Sequence, residues 1–479
     1  MGSLDQQLHI FFFPFMAHGH MIPTIVMAKL FASRGVKTTI VTTTVNAHSI
    51  SKSIQTTKNL GFKIDIQILR FPSAEAGLPE GCENLDFVIS NPGEKLHDRF
   101  LLATTMLQEQ LEMLLFECHP DCLVADMFFP WATYAAAKFG ISRLVFHGVS
   151  LFALCAEECV RLYEPYKNVS SDVEPFVIPN LPEEIRLTRK QLPEHSRQDL
   201  PETALSKLLK AWKESELKSF GVIVNSFYEL EPDYADFYTK ELGRKAWHIG
   251  PISLSNRAVE DKSKREKEAH ECLKWLDSLK SDSVIYICFG TITNFTTAQL
   301  KEIAVALEAS GHPFIWVMRQ EKKIENDEEW LPRGFEERIE GKGLIIRGWA
   351  PQVLILEHEV VGGFVTHCGW NSTLEGISAG KQMVTWPVSA EQFYNEKLVP
   401  EVLKIGVSVG VKQWGKFHGD EIKSEDIEKR IRRVMEGEEV EAMRSRARKL
   451  GKMAREAVEN GGSSYSDFNA LVDLIKRRK

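Results

Sequence analysis

Short apolar runs alternate with amphipathic stretches along this chain, and the alternation begins at once. Leu8–Phe13 is a short, largely apolar, strand-like run. Ile22, Ile25, Val26, Met27, Leu30 and Phe31 then recur at helical spacing, with Gly35 as the stop. Val36–Thr42 is a second, β-branched strand, so the chain opens on a β–α–β unit. Farther on, Cys122–Ala125 predicts a strand, Trp131–Phe139 a helix stopped by Gly140, and Leu144–His147 another strand. Such alternation predicts a parallel sheet covered by helices on both faces.

A stretch rich in Lys, Glu, Asp and Ser, 255–270, interrupts the pattern as a linker or exposed loop. The alternation then restarts. Val284–Phe289, Phe314–Met318, Leu344–Ile346, Val361–Thr366 and Met383–Trp386 predict strands, and Ala298–Ser310 is the clearest helix among them. Glu438–Val458 predicts a long charged helix broken at Gly461-Gly462. Ser463 or Ser464 can cap a last helix, striped by Phe468, Leu471, Val472 and Ile475. The fold class is therefore α/β, with two units at 1–254 and 271–462. Doubly wound sheets hold ligands beyond the C-terminal ends of their strands, so a cleft between the units is expected.

At 479 residues the chain exceeds what one hydrophobic core usually serves, in keeping with two units. A net charge of −7 argues against nucleic acid or an anionic membrane as the main partner. No apolar run approaches the ~20 residues of a membrane helix, Ile10–Ala17 being among the longest. MGSLDQQ does not read as a signal peptide, and Gln6 departs from the myristoylation pattern. Eight dispersed cysteines make no disulfide framework; Cys118/Cys122 and Cys155/Cys159 have i,i+4 spacing but read as buried thiols. A cytoplasmic, monomeric protein is expected.

The chemistry concentrates between Trp349 and Gln392. There the strand Val361–Thr366 feeds a tight His367-Cys368-Gly369 turn, and Trp370-Asn371-Ser372-Thr373-Leu374-Glu375 opens a helix. A bare helix N-terminus after a small-residue turn is an anion site, because its first-turn N–H groups are unpaired and its dipole favours negative charge. Asn371 and Ser372 add side-chain donors, and His367 is placed to touch the same anion, most naturally a phosphate. At the other end of the chain, His20 follows the first strand in the loop before Pro23, and Asp126 follows the strand Cys122–Ala125. On one sheet rim they could form a general base and its orienting carboxylate. His18, two residues away, is physically as plausible a base.

The 349–392 segment resembles the signature box of plant secondary-product glycosyltransferases, which move a sugar from a UDP-sugar to small lipophilic molecules. WAPQ, HCGWNS, the following LEG and the closing AEQ all stand at the family's spacing. The likeness extends to PFMAHGHMIP, ICFGT and GGSSYSDF, and so to essentially the whole chain; Lys381-Gln382 departs from the family's apolar residue and proline. The resemblance implies the GT-B architecture, two facing Rossmann-like domains, with the final helix (463–479) packed back on the first. It selects His20 over His18 as base, with Asp126 as its partner, and implies an inverting displacement. It assigns the diphosphate to Thr291, His367 and the Gly369–Ser372 helix start. Uracil falls to Trp349 with Ala350 and Gln352, ribose to Glu375, and the sugar to Trp370, Glu391 and Gln392, the last leaning towards glucose. Taken singly, Trp349 and Trp370 could instead be core. No Asp-x-Asp triplet occurs, so neither a metal nor a further cofactor is expected beyond the UDP-glucose donor. The acceptor is expected to be a flavonoid or other phenol, then a triterpenoid or steroid. Phe15, His18, Phe128 and Phe129 are candidates for its pocket, although core packing explains the phenylalanines equally well.

Other classes fit less well. A dinucleotide-dependent oxidoreductase needs G-x-G-x-x-G after the first strand and an acid after the second, and neither is present. Gly376-Ile377-Ser378-Ala379-Gly380 matches a hydrolase elbow only in letters, since a helix precedes Ser378 and a strand follows. A non-catalytic nucleotide-sugar binder would share every donor residue, and His20 with Asp126 separates the two.

Overall fold

The computed structural model describes residues 7–478 except 91–95, 194–195, 198–203, 256–269, 291–292, 294, 319–330 and 416–419. Nearly all of the expected linker, and Thr291, therefore lie outside the described residues.

The first unit is built on β1 (His9–Phe13), β2 (Lys37–Thr43), β3 (Ile64–Leu69), β4 (Cys122–Asp126) and β5 (Ser142–Phe146). A small antiparallel hairpin follows, β6 (Pro175–Val177) with β7 (Arg186–Thr188), and then β8 (Gly221–Val224) and β9 (Ala246–His248). All but the hairpin join one parallel sheet in the order β3-β2-β1-β4-β5-β8-β9. Ile10 to Phe13 are fully buried because both faces of β1 are covered, which is why that strand reads as an unbroken apolar run. The second unit holds β10 (Val284–Cys288), β11 (Phe314–Met318), β12 (Gly343–Arg347), β13 (Val361–Thr366), β14 (Gln382–Thr385) and β15 (Gly406–Ser408). These form a second parallel sheet, β12-β11-β10-β13-β14-β15.

The two orders share one logic. The chain runs outward from β1 through β2 to β3, then returns to β4 on the other side, and β10 stands in the same relation to β11 and β13. Such a reversal opens a crevice at the strands' C-terminal ends. Phe13 lies opposite Ala125, and Cys288 opposite Thr366, so the chain leaves each pair of central strands side by side.

Two local expectations are corrected. His18 and His20 are not in a loop: the first helix is His18–Ser33 and contains Pro23. Proline cannot donate to the carbonyl four residues back, and the helix runs on with Gly19 O released from that bond. Neither Ser463 nor Ser464 caps the last helix, Ser463–Lys476, whose N-cap is Gly462. Their hydroxyls reach outward instead, to Glu229 (2.8 Å) and to Gly250 O (2.6 Å). The last helix lays Phe468, Leu471, Val472 and Ile475 into the core around β1, with Phe468 4.6 Å from Phe31 between ring centres. Cys155 and Cys159 share the helix Leu151–Tyr163, whereas Cys118 ends a helix and Cys122 begins β4.

Candidate active site

His20 stands in the first turn of the helix that follows β1, and Asp126 is the last residue of β4, the strand beside β1. His20 Nδ1 and Asp126 Oδ2 are 2.7 Å apart. The other carboxylate oxygen accepts from Phe128 N at 3.0 Å. Facing an acceptor-only carboxylate, Nδ1 carries the proton, and Nε2 is left as a lone pair on an imidazole 24% exposed. Burial draws this imidazole down, but Asp126, by charge and hydrogen bond, with Glu391 and Asp86 more than offsets it. Its pKa lies above the ordinary histidine value, which suits a base.

Phe15 and Phe128 flank that ring edge-on, 5.9 and 5.5 Å away between ring centres. Phe128 is half-buried, whereas Phe129 stacks on Phe13 at 4.1 Å and belongs to the core. Core packing therefore accounts for Phe129. His18, half exposed, holds a carboxylate of its own, with Nδ1 2.5 Å and backbone N 2.9 Å from Asp86 Oδ2.

The second unit supplies the anion seat. The helix Trp370–Ser378 begins at Gly369 with no side-chain cap, so the N–H groups of Asn371 and Ser372 fall in its unpaired first turn. Cys368 before it is left-handed (φ 64°), and Asn395 Nδ2 holds its carbonyl at 2.8 Å. The His367 imidazole is wedged between two glycines. A Cβ on Gly290 would lie 2.7 Å from its Cε1 and Nε2, and one on Gly369 2.5 Å from Nε2. Burial pulls its pKa down to about 4, so at neutral pH it is a hydrogen-bonding group and not a cation. Its Nδ1 has no partner among the described residues.

The two half-sites meet. Asn371 Nδ2 donates to Gly19 O at 2.9 Å, taking up the carbonyl that Pro23 cannot serve. Trp370, 2% exposed, donates its Nε1–H to Asn225 O at 2.7 Å, so its indole is core between the halves and its backbone N–H lies at the cleft. Asn395 Oδ1 accepts from Ser150 Oγ at 3.2 Å. Glu391 Oε1 accepts from Trp370 N and Asn395 Nδ2, both at 3.2 Å. An imidazole beside β1 and an anion seat beside β13 thus share one crevice.

The family model described as UDP-glucoronosyl and UDP-glucosyl transferase matches residues 205–446. The chain belongs to this family. It is 59% identical over 473 residues to "Scopoletin glucosyltransferase" of Nicotiana tabacum, covering 98% of each chain. It is 55% identical over 480 residues to "UDP-glucose flavonoid 3-O-glucosyltransferase 7" of Fragaria ananassa, covering 98% of this chain and 96% of the relative. Among solved structures, that of Glycyrrhiza uralensis UGT73P12 complexed with glycyrrhetinic acid 3-O-monoglucuronide superposes with a TM-score of 0.91 at 41% identity, covering 99% and 96% of the two chains. The protein is a plant secondary-product UDP-glycosyltransferase of GT-B architecture, acting on a UDP-sugar and a small-molecule acceptor. No helix among its described residues is long and apolar enough to cross a membrane.

In this transferase Trp349 is 71% exposed, so core packing does not account for it, and its indole face is open. Beside it, Gln352 Nε2 donates to Ser372 Oγ (3.0 Å) and Glu375 Oε2 (2.8 Å), while Gln352 N donates to Ala350 O (2.8 Å). Gln392 Oε1 accepts from Val388 N and Ser389 N, which turns its amide nitrogen outward from that loop. Burial pushes Glu375 from 4.5 up to about 7, against the pull of Gln352. The folded protein thus holds this proton more tightly than the unfolded chain does. Stability from this group is full below about pH 4.5 and is lost as pH rises towards about 7. Glu375→Gln is accordingly expected to raise the unfolding free energy by about 1 kcal/mol near ~pH 8 and to leave it unchanged near ~pH 4. Denaturant titrations at the two pH values check this.

Sequence reasoning passed over Arg143, Asn395 and Asp86. Arg143 stands in an otherwise apolar strand, ISRLVF, and that break in pattern was the available signal. Asn395, three residues past the box, and Asp86 carry no local signal, since their value comes from contacts between distant segments.

Proposed function

We propose that this enzyme transfers glucose from UDP-glucose to a hydroxyl of a small lipophilic phenol, with inversion, using His20 as base and Asp126 as its orienting partner. The observation that carries the reading is His20 Nε2, a free lone pair in the same crevice as the helix start at Trp370. As the acceptor oxygen attacks the anomeric carbon, its proton passes to Nε2 and the imidazolium is stabilised by Asp126. The bond from that carbon to the diphosphate oxygen breaks, and UDP departs with the electron pair from the opposite face. A phenol, with a pKa near ~10, yields its proton more readily than an alcohol does. The departing charge falls on the N–H groups of Asn371 and Ser372, with neutral His367 donating a hydrogen bond. Trp349 would stack the uracil with Ala350 and Gln352 beside it, Glu375 bind the ribose, and Glu391 and Gln392 hold the sugar. Acceptors named for the tobacco and strawberry relatives, scopoletin and flavonoid, favour the phenol. The triterpenoid in the Glycyrrhiza complex makes a triterpenoid hydroxyl the second reading.

The test is transfer from UDP-glucose to a panel of phenols and triterpenoid alcohols, scored by product mass and by the anomeric coupling in proton NMR. Phenol glucosides of inverted configuration are expected. Products from triterpenoid alcohols alone would remove the phenol assignment, and retained configuration would remove direct displacement.

A further inference from the structure

We propose that Arg143 is a positioning residue for this reaction, its buried guanidinium fixing the end of β4 and setting a positive charge behind the His20–Asp126 pair. The proposal rests on the reading of His20 as the base.

Arg143 lies on β5, beside β4, and is 2% exposed. Its Nη2 donates to Asp126 O at 2.7 Å and Ala125 O at 3.4 Å, and its Nη1 to Thr133 Oγ1 at 2.6 Å and Ser215 Oγ at 2.8 Å. All four acceptors are uncharged oxygens. A guanidinium this deeply buried ordinarily sits against a carboxylate, because desolvating it is costly. The cost is visible here, as burial pulls its pKa down to about 10, with the charges of Asp126 and Glu216 acting in opposition. Glu216 is already engaged by His147 (2.8 Å), Arg244 (2.9 Å) and Tyr238 (3.0 Å). Asp126 is the anion that remains for Arg143.

The benefit is mutual. The Asp126 side chain is wholly buried, and among the described residues its hydrogen bonds are to the His20 imidazole and one backbone N–H. A fixed cation bonded to the Asp126 backbone carbonyl opposes uptake of a proton by the His20–Asp126 pair. His20 and Asp126 share their protons, so whichever of them takes one up, the pair loses its function as a base. Asp86 and Glu391 act on His20 from other segments and attract that proton, and His18 is engaged by Asp86; the Arg143 cation, bonded to the Asp126 carbonyl, acts in the opposite sense. Removing the Arg143 charge therefore raises the apparent pKa of the acid limb of the rate profile. A residue that only braced β4 would alter stability and leave the limb in place.

The experiment compares the full-length enzyme with Arg143→Gln and Arg143→Lys, following kcat/KM for a phenol at saturating UDP-glucose from about pH 5 to 9. The acceptor's own ionisation is common to every variant. Arg143→Gln is expected to move the acid limb up by about one unit, with KM for UDP-glucose within about twofold. Arg143→Lys, which keeps the charge, is expected to leave the limb where it is. An unmoved limb in Arg143→Gln, or equal shifts in both variants, would overturn the proposal. Should Arg143→Gln not fold, Thr133→Val with Ser215→Ala frees the Nη1 end instead. The limb should then rise by a fraction of a unit, and no rise overturns the proposal equally. His20→Ala is run alongside. If it retains transfer, the base assignment has failed; if it abolishes transfer while Arg143→Gln leaves the limb in place, only the role of Arg143 has.

Discussion

Alanine in place of His20 is expected to lower kcat by about 10²–10⁴-fold while UDP-glucose binds within about twofold of its wild-type affinity. The size follows from what is removed. Without the imidazole, an acceptor hydroxyl meets Phe15 and Phe128 and has no lone pair to receive its proton. The donor seat stays intact because it belongs to other residues. Among the described residues of that seat, Asn371 bonds to the first helix, and it does so through the backbone carbonyl of Gly19, which the substitution keeps. Steady-state transfer and calorimetric titration with UDP-glucose check both halves. An equal loss in donor affinity would mean that His20 holds the nucleotide and does not act on the acceptor.

Gly369→Ala is expected to weaken UDP binding by about 5- to 150-fold and leave the fold unchanged. At φ −60° and ψ 138°, Gly369 has a backbone that any residue adopts, so conformation is not the obstacle. Space is. The new Cβ would stand 2.5 Å from His367 Nε2, so the ring must shift from its place beside the helix start. Returning the displaced ring to its place when the diphosphate binds costs about 1–3 kcal/mol, which is the fold-change just given. A ring that stays displaced instead forfeits its hydrogen bond to the diphosphate. Calorimetry with UDP, alongside circular dichroism, checks the result, and an unchanged dissociation constant would show that His367 has no part in the seat.

These sites were unequally legible in the sequence. Val361–Thr366 and Phe314–Met318 were bounded as observed, because buried parallel strands announce themselves as apolar runs between turn residues. The helix start at Trp370 was legible for the same reason, since a strand, a small-residue turn and a polar helix opening fall consecutively. The pairing of His20 with Asp126 was not readable from spacing. It depends on β4 lying against β1 with Phe13 opposite Ala125, and only resemblance pointed to it beforehand. The bond from Asn371 to Gly19 was invisible for a subtler reason. Pro23 looked like the end of a loop, whereas it sits inside a helix and frees the carbonyl that Asn371 takes. Arg143 was missed because the strand was begun at Leu144, two residues too late. Phe128 and Phe129 are adjacent and alike in sequence, yet one borders His20 and the other stacks into the core.

The most direct measurement is a crystal structure with UDP-glucose, or a slow-reacting analogue, and a phenol bound together. The diphosphate is predicted on the N–H groups of Asn371 and Ser372 beside His367. The phenolic oxygen should lie about 3 Å from His20 Nε2, with the anomeric carbon between that oxygen and the phosphate. A nucleotide seated away from the Trp370 helix start, or a hydroxyl turned from His20 with the donor in place, would contradict the account.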